Sequence, residues 1–402
     1  MASMASSLGN STASTRYASL ASTATSSFHS AFYNTKMGQY GGDSGAVQSL
    51  TLPALFIHSP PAQLFPSVLR TLANDLSQST DYDPRVGAVT SKILLNVLSD
   101  NGLHATALRA ATSVTEPSWG YWWSQNSSTC WESWPAGHGT RNHIFLCGGV
   151  GEWMWKHLVG LTASASQFAQ VQVAPRVHPN LGPSSASGQF WSPRGIISSA
   201  WNLTEGGGKV SLSVLLPIGV RGATIVVPKP FVSVPTPPET VCRAASERSK
   251  APLGLSCPSG SGKISSIDFA AFGTPTVSGQ CLGWQANATC NDNATLVHDL
   301  VAKACVGQSA CSIDFGEAGK SPFGDPCPMV VKTLAVRATC SGGSGSKPTA
   351  AARVSEAGEL VWDGKRLVGS HPGLLNASDA GEGIEFVTTN GNFFFSATPV
   401  KA

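Results

Sequence analysis

The spacing of the cysteines is the feature that most constrains how this sequence can fold. Eight of its ten cysteines, an even number, lie between residues 242 and 340. None of the eight forms the paired C-x-x-C spacing of a zinc site, so the pattern favours disulfides over metal ligands. Sequence alone leaves about a hundred ways of pairing eight cysteines. A segment of this size gains roughly 2–4 kcal/mol from each bridge, which keeps its loops rigid on a small core.

The sequence also contains glycosylation sequons, which are found in proteins of the secretory pathway. Asparagines in the Asn-X-Ser/Thr pattern include Asn126, Asn202, Asn287, Asn293 and Asn376. Together with the cysteines, these sequons predict a secreted or secretory-pathway protein. The Ala- and Ser-rich first residues have no apolar stretch of the signal-peptide kind. They fit a transit peptide or the interior of a domain. We favour the interior and expect the chain to be N-terminally truncated.

Charge and hydropathy exclude two classes of partner. Only 12% of the residues are charged, the net charge is +3, and no basic stripe is present, which argues against nucleic-acid binding. No run reaches the roughly eighteen apolar residues that a membrane span requires. The 402 residues are enough for two or three domains. We predict no cofactor and no metal ion.

The first part of the chain, up to residue 161, has the apolar spacing of helices. Between residues 86 and 98 the apolar positions follow a period of 3.6, and Asn101-Gly102 is suited to ending that helix. A second helical segment follows at once, which predicts an antiparallel helical hairpin. The same period returns between residues 150 and 161.

From about residue 168 the pattern is that of strands, with alternating or continuous apolar runs broken by Pro and Gly. A Pro-rich joint at 234–240 leads into the cysteine-rich segment, and a flexible Gly/Ser linker at 341–350 follows that segment. Strand patterns then resume, with Asp363-Gly364 and Asn390-Gly391 as predicted hairpin turns. Strands on both sides predict that the cysteine-rich segment is inserted into one β-domain.

One stretch, residues 118–143, places five tryptophans and a tyrosine around a single acidic residue, Glu132. A buried carboxylate is costly unless it is paired or used in function. The residue types alone therefore allow two interpretations. Glu132 is part of a functional site, or the tryptophans are core residues and Glu132 pairs with Arg141.

The cysteine-rich segment resembles a known lectin family. Its motifs IDFAAFGTP, LVAKACVGQSACSI and FGDPCPMVVKTLAVRATC are similar to those of the galactose- and rhamnose-binding domain first described in sea-urchin egg lectin (SUEL). The same domain is appended to many plant β-galactosidases. The resemblance implies a small disulfide-rich β-sandwich that binds these sugars. It also implies four bridges, Cys242–Cys281, Cys257–Cys340, Cys290–Cys327 and Cys305–Cys311.

The lectin resemblance further implies a sugar site in which Asp325 and Lys332 bind hydroxyls and Phe272 forms an apolar wall. Three positions depart from the family pattern. Arg243 stands where sugar-binding members often carry Glu, Thr274 where animal lectins have Arg, and Met329 where the loop normally has Gly. The alternative to sugar binding is a disulfide-stapled spacer whose site has degenerated.

The remainder of the chain resembles bacterial-type α-L-rhamnosidases. The motifs EPSWGYWW, TCWESW, GTRNHIF, GGVGEWMWKHLVGL, VQVAPRV and SPRGIISSAWNLTEGGGKVSLSVLLPIG occur in that family in the same order and spacing. The likeness covers nearly all of residues 8–232 and 350–396. It implies part of an (α/α) six-hairpin toroid that carries the active site, followed by a β-domain.

These rhamnosidases invert the anomeric centre, which requires two carboxyl groups roughly 6.5–9.5 Å apart. By resemblance, Glu132 is the general base. The neighbouring aromatic side chains would offer apolar faces to a deoxy sugar and exclude water around the carboxylate. The side chains that would contact substrate are Trp119, Trp131, Trp134, Arg141 and His143.

The family's general-acid motif has no counterpart in this sequence, and we expect it on an upstream segment. An inverting hydrolase with the base alone would leave its leaving group unprotonated. Glu152, Cys130 and Cys147 are interpreted as structural, and the sequence leaves those two cysteines free or paired.

These observations predict a multidomain α + β protein with a partial toroid, a β-sandwich domain and the inserted lectin domain. The predicted boundaries are 1–165 for the toroid, 166–234 with 350–402 for the β-domain, 235–342 for the lectin and 341–350 for the linker. The predicted function is carbohydrate binding, with L-rhamnose- or galactose-containing glycans as partners. Two alternatives remain open. One is an α-L-rhamnosidase completed by an upstream acid, and the other is an extracellular-matrix protein with decayed sites.

Overall fold

A computed structural model describes residues 1–41, 47–78, 82, 84–134, 139–143, 145–179, 181–235, 238–247, 252–257, 262–277, 284–314 and 321–400. The chain separates into two units, Met1–Trp153 and Met154–Ala402. Each unit is described by itself below. In the described ranges, no helix is both long and apolar enough to cross a membrane. Within the same ranges, no three His, Cys, Asp or Glu side chains are grouped so as to hold a metal ion.

The first unit is helical, with one short β-ribbon (β1, Tyr33–Asn34; β2, Gln39–Tyr40). Its helices are α1 (Ala2–Ser7), α2 (Ser11–Phe32), α3 (Val47–Phe56), α4 (Phe65–Gln78), α5 (Ala88–Asp100), α6 (His104–Thr112), α7 (Trp119–Ser124) and α8 (Phe145–Trp153).

The predicted helical hairpin is confirmed as α5 and α6. Helix α5 ends where predicted, because Gly102 adopts φ +81° and allows the chain to reverse at once. The amide of Asn101 donates to the carbonyl of Val97 and satisfies part of that helix end. Helix α8 approaches α5 closely, since a Cβ at Gly149 would lie 2.5 Å from the Cα of Lys92. Glycine at this position is therefore required by packing.

The second unit contains a β-sandwich of two sheets. The six-stranded sheet has the order β17-β16-β20-β7-β6-β5 and the five-stranded sheet the order β18-β19-β8-β4-β3. Their strands are β3 (Leu161–Ala163), β4 (Gln170–Val173), β5 (Ser185–Ser192), β6 (Gly195–Thr204), β7 (Lys209–Leu216), β8 (Gly222–Pro228), β16 (Ala352–Glu356), β17 (Glu359–Trp362), β18 (Leu374–Asp379), β19 (Gly383–Thr388) and β20 (Gly391–Pro399). The inner faces of both sheets share one apolar core, in which the rings of Phe386 and Phe395 stack at 5.0 Å.

Strands from both sides of the cysteine-rich segment pair with each other in this sandwich. In the six-stranded sheet, Val214 of β7 faces Phe393 of β20. In the other sheet, Ile225 of β8 faces Phe386 of β19. The two ends of the intervening segment also pair, as β9 (Phe231–Pro235) and β15 (Ser344–Pro348). The cysteine-rich segment therefore leaves and re-enters the sandwich through one two-stranded stem, which we call the β9–β15 stem.

One predicted turn is wrong. The Asn390-Gly391 pair does not close a hairpin, because β19 pairs with β8 and β18 while β20 pairs with β7 and β16. The pair instead carries the chain from one sheet to the other, with Gly391 at φ +150°. At Asp363-Gly364 the prediction of a turn is confirmed, since the N–H of Asp363 donates to the carbonyl of Arg366.

The cysteine-rich segment contains two small antiparallel sheets and a helix. The sheets are β10-β14-β12 and β11-β13, and helix α9 packs Val297 and Val301 into their core. The elements are β10 (Glu239–Ser246), β11 (Leu253–Ser256), β12 (Ile264–Gly273), α9 (Ala294–Cys305), β13 (Ala310–Ile313) and β14 (Thr333–Cys340). The segment is thus a small disulfide-rich β domain, as expected, with one helix packed on its sheets.

Three of the four expected bridges are present, Cys257–Cys340, Cys290–Cys327 and Cys305–Cys311. Cys242 is also disulfide-bonded. Its expected partner, Cys281, lies outside the described residues.

Lys229 lies just before β9 and links the segments that flank the β9–β15 stem at its base. Its ammonium, on a side chain only 4% exposed, lies 2.8 Å from both carboxylate oxygens of Asp379. It also donates to the carbonyl of Ala350, just beyond the stem. Partial burial alone would raise the pKa of Asp379. Hydrogen bonds from Lys229 and from the N–H of Gly381, with the lysine's charge, outweigh that effect and lower the pKa.

We expect Asp379→Asn to lower the free energy of unfolding at pH 7 by about 2 kcal/mol, because it weakens a charge-assisted bond to a buried donor. A carboxyl whose folded-state pKa is lowered stabilises the fold above its unfolded pKa and loses that contribution as pH falls through the folded pKa. The difference between the two proteins should therefore begin to narrow near pH 4, the ordinary pKa of an aspartate, and shrink further as the pH falls. Urea unfolding from pH 7 to pH 3 measures this. Asp299→Asn, at an exposed carboxyl that pairs with His298, is the control and should change little. A gap that is as large at pH 3 as at pH 7 contradicts the prediction.

Candidate functional site

Glu132 lies in a loop that is closed on itself. The N–H of Glu132 donates to the carbonyl of Thr140 at 2.9 Å, and the N–H of His143 donates to the carbonyl of Cys130 at 2.7 Å. A disulfide between Cys130 and Cys147 closes the same loop covalently. The two cysteines that the sequence left free or paired are therefore paired, and they anchor the segment that carries the predicted base.

Thr140 holds the carboxylate of Glu132. Its backbone N–H lies 2.9 Å and its hydroxyl 3.3 Å from Oε2. The hydrogen bond from the backbone of Thr140 contributes most to lowering the pKa of Glu132 below its usual value, followed by the bond from the Thr140 hydroxyl. Desolvation opposes these two bonds more weakly, and the charge of His143 adds a smaller lowering effect. Gly139 allows this geometry, because it adopts φ +68° and a Cβ there would lie 2.8 Å from Oε2. The carboxylate is exposed and ionised at neutral pH.

The tryptophans form one packed cluster. The ring of Trp122 lies 5.6 Å from Trp131 and 5.0 Å from Trp134, and Trp119 meets Trp134 edge-on at 5.2 Å. Trp131 and Trp134 are buried, and the indole N–H of Trp134 donates to the carbonyl of Val86. The expectation that these two rings offer open faces to a sugar is corrected, because both serve as core. Trp119 is half-buried and keeps part of its surface open.

Two further expectations about this loop need correction. The tryptophans do not exclude water from Glu132, because that carboxylate is exposed. The alternative pairing of Glu132 with Arg141 is not seen among the ion pairs of the described residues. Instead, the guanidinium of Arg141 lies 4.9 Å over the ring of Trp131. His143 is half-buried. Sugar contacts by Arg141 and His143 remain predictions.

Glu152, interpreted as structural, lies on helix α8 near its end. Its carboxylate is 4.0 Å from the ammonium of Lys92 on α5, and both side chains are more than half exposed. Such a surface pair contributes little to stability. The pair fits a role in helix packing.

A second polar cluster surrounds Lys332 in the lectin segment. Its ammonium lies 2.5 Å from Asp325 and 3.9 Å from Glu247. The lysine side chain is 4% exposed, whereas that of Asp325 is 34% exposed. The backbone N–H of Lys332 also donates to Oε1 of Glu247, and the N–H of Glu247 donates to the carbonyl of Lys332, both at 3.0 Å. The structure thus brings the two predicted hydroxyl-binding residues together and adds a second carboxylate.

Sequence reasoning missed Glu247. In the family pattern, a glutamate often follows the first cysteine. In this chain Arg243 stands at that position, and its guanidinium donates to the carbonyl of Cys242. The additional acidic residue beside Lys332 is instead Glu247, four positions after Arg243. The signal that pointed to it was weak, since Glu247 is one of the few carboxylates of a charge-poor sequence.

Phe272 does not form an exposed wall. It is fully buried, with its ring 5.4 Å from that of Phe323, which is equally buried. The expectation that Phe272 forms an apolar wall of the sugar site is therefore corrected, because Phe272 is a core residue. The exposed apolar side chains of the Asp325–Lys332 segment are those of Met329 and Val330.

Met329 adopts φ +65°, the left-handed region in which a side chain is strained and glycine is favoured. We expect Met329→Gly to raise the free energy of unfolding of this segment by about 1 kcal/mol, because the strain disappears. Val330→Gly is the matched control: it is exposed and has no such φ, so it should destabilise. Urea unfolding of the three proteins measures the effect. A loss of stability in Met329→Gly would show that the methionine side chain contributes more than its strain costs.

Comparison with known families gives three matches along the chain. Residues 1–158 match the bacterial alpha-L-rhamnosidase 6 hairpin glycosidase domain, and residues 160–238 match the bacterial alpha-L-rhamnosidase C-terminal domain. Residues 255–340 match the D-galactoside/L-rhamnose binding SUEL lectin domain.

Individual relatives agree with these matches. An alpha-L-rhamnosidase of Streptomyces avermitilis is 32% identical over 196 residues, which are 45% of this chain and 18% of that protein. Beta-galactosidase 8 of Arabidopsis thaliana is 44% identical over 94 residues, 23% of this chain and 10% of that protein. The solved alpha-L-rhamnosidase of Aspergillus terreus is 25% identical, with a TM-score of 0.50 over 57% of this chain and 26% of that one. This chain thus corresponds to a small part of each of these proteins.

The fold and the matches define a multidomain protein that joins glycosidase-type and lectin-type domains. The chain comprises the six-hairpin and C-terminal domains of the bacterial α-L-rhamnosidase type together with a SUEL lectin domain.

Proposed function

We propose that this chain binds carbohydrate through Glu247, Asp325 and Lys332, and that its ligands carry L-rhamnose or D-galactose. The cluster around Lys332 is the observation that carries the proposal. The partly open carboxylate of Asp325 accepts hydrogen bonds from two neighbouring hydroxyls, and the ammonium donates to a third. Neighbouring hydroxyls on a rigid ring are characteristic of hexoses. The SUEL match supports the same class of ligand.

The exposed side chains of Met329 and Val330 supply the apolar side of this proposed site. They follow Asp325 in the same segment. A 6-deoxy sugar such as L-rhamnose presents a methyl group that gains from apolar contact. The proposed setting is extracellular, which agrees with the several disulfides.

Calorimetric titration of the full chain with L-rhamnose and with D-galactose tests the proposal. We expect saturable binding of at least one sugar, and its loss in Asp325→Asn, which keeps the size of the side chain but removes its charge. D-Glucose is the control ligand. No detectable heat with either sugar up to millimolar concentration would overturn the proposal and favour a matrix protein with a decayed site.

A second candidate function is α-L-rhamnoside hydrolysis, favoured by the geometry around Glu132. An ionised, exposed carboxylate fixed by Thr140 suits a general base, and inversion requires a second carboxyl as general acid. Turnover of p-nitrophenyl α-L-rhamnopyranoside by the full chain tests this function. If turnover is found, Glu132→Gln should abolish it.

Thr140→Val should raise the pKa of Glu132, because it removes the hydroxyl that donates to Oε2. The acidic limb of the pH–rate profile should then move to higher pH, since the base is protonated sooner. Measuring that profile separates a catalytic from a structural carboxylate. Turnover that survives Glu132→Gln would refute its role as base.

A further inference from the structure

The outer face of the six-stranded sheet holds a shallow depression of about 390 Å³ near Asn202. Side chains on β6, β7 and β20 alternate, so that Trp201 points into the core and Asn202 is exposed. The pairing places Asn202 beside Ser211, and Ser211 beside Ser396, in one row across the sheet. The depression is therefore lined by a row of small polar side chains and by apolar surface, which includes that of Leu212 and Phe394.

An exposed aromatic ring borders this depression. Phe394 lies on β20, a central strand, yet its side chain is 58% exposed. In the neighbouring row across the sheet, Ala200 lies beside Ser213, and Ser213 lies beside Phe394. A large apolar ring on an open sheet face gains free energy when another apolar surface covers it.

Asn202 begins the sequon Asn202-Leu203-Thr204. With strands about 4.8 Å apart and two residues spanning about 6.8 Å, Asn202 and Phe394 are separated by roughly 12 Å. Two or three linked pyranose rings bridge that distance. We propose that Asn202 is N-glycosylated and that the first sugars of its glycan fill the depression and stack on Phe394.

The attachment chemistry is a transfer from a lipid-linked oligosaccharide pyrophosphate. A bond forms between Nδ2 of Asn202 and the anomeric carbon of the first N-acetylglucosamine. The bond from that carbon to the pyrophosphate oxygen breaks, and the amide loses one proton. The transfer precedes folding, and the folded sheet then receives the glycan. Stacked sugar rings would shield the apolar face of Phe394 while their hydroxyls meet the serines.

Asn202 differs from Asn287, one of the sequon asparagines of the lectin segment. The amide of Asn287 already donates to Thr274 and accepts from Thr289 within its own turn. Asn202 is exposed beside a depression of matching chemistry. The proposal does not depend on sugar binding by the lectin cluster.

Secretion of the full chain from a eukaryotic host tests the proposal. The tryptic peptide 195–209 contains Asn202 as its one asparagine, so mass spectrometry reports its occupancy directly. We expect occupancy, and slower release by peptide N-glycosidase from the native protein than from the unfolded protein. Phe394→Ala should remove that protection and lower the melting temperature. Leu360→Ala, at an exposed position on β17 of the same sheet, is the control and should leave protection unchanged.

Asn202→Gln completes the experiment as a double-mutant cycle. In that background, Phe394→Ala should no longer lower the melting temperature, because the glycan that stacks on the ring is absent. An unoccupied Asn202 overturns the proposal. So does a glycan released equally fast from native and unfolded protein. Saturable binding of free oligosaccharide to the Asn202→Gln protein, lost in Phe394→Ala, would replace it with a site for external glycans.

Discussion

Replacing Cys257 and Cys340 by alanine should be the most damaging change in the lectin segment. This bridge closes a separation of 83 residues, for which chain entropy predicts a loss of about 4.5 kcal/mol. It ties the end of β11 to the end of β14, the central strand of the three-stranded sheet. A loss of this size approaches the whole stability of a small domain. We therefore expect the segment to unfold and sugar binding to disappear.

The Cys305–Cys311 bridge provides the matched control. It also has one fully buried cysteine, but its separation is 6 residues, so its removal should cost only about 2 kcal/mol. Hydrogen exchange followed on peptides of residues 252–314 compares the two variants within the intact chain. Equal loss of protection in both would show that loop entropy does not govern the stability of this segment.

Lys332→Met should have the second-largest effect. The lysine is buried between Asp325 and Glu247, and removing one partner of a buried charge cluster costs roughly 3–5 kcal/mol. The two carboxylates would be left close together without a counter-charge. Part of that cost is relieved by water at the more open Asp325. We expect lost sugar binding and strongly reduced protection of β14 in hydrogen exchange.

A triple variant separates folding from binding at this cluster. Lys332→Met combined with Glu247→Gln and Asp325→Asn removes all three charges at similar volume, a replacement that is often close to neutral for stability. Its protection should return toward that of the original protein while its sugar binding stays absent. A triple variant that regains binding would show that the cluster is structural and that the ligand binds elsewhere.

Local patterns were enough to predict much of the architecture. The 3.6 period before Asn101-Gly102 predicted α5 and its end, because the apolar face and the turn are both encoded within that segment. The change to strand patterns and their return after residue 350 predicted an inserted segment. At Asn390-Gly391 the same approach failed. A turn signal is local, but which sheet the next strand joins depends on where Phe393 and Phe395 are buried.

The lectin segment shows a different source of error. Val297 and Val301 are spaced as on one helix face, and Asn293 caps the helix by accepting from the N–H of Thr295 and Leu296. The signal for α9 was therefore present in the sequence, although the lectin resemblance implied only a disulfide-rich β-sandwich. Glu247 could not have been found by spacing, because only the pairing of β10 with β14 brings it to Lys332, 85 residues away.

The Glu132 loop was predicted in part. Sequence singled out the carboxylate because it is the one acid among aromatic residues. It did not show that Thr140 would hold it or that Gly139 would make room for it. Those contacts depend on a loop that the Cys130–Cys147 bridge closes. The sequence has ten cysteines, and their spacing does not identify which two form this bridge.

The β9–β15 stem has a consequence for the order in which the chain folds. During synthesis β7 and β8 emerge before the lectin segment, whereas their partners β20 and β19 emerge after it. At typical translation rates of roughly 5–20 residues per second, the roughly 150 residues between β8 and β19 take about 8–30 s to appear. Throughout that interval one edge of β7 and one edge of β8 are without their final partners, and such edges promote aggregation. A lectin segment that folds early on its own disulfides brings the two ends of the stem together. The later strands β19 and β20 then lie close to β8 and β7, and their pairing completes the sandwich.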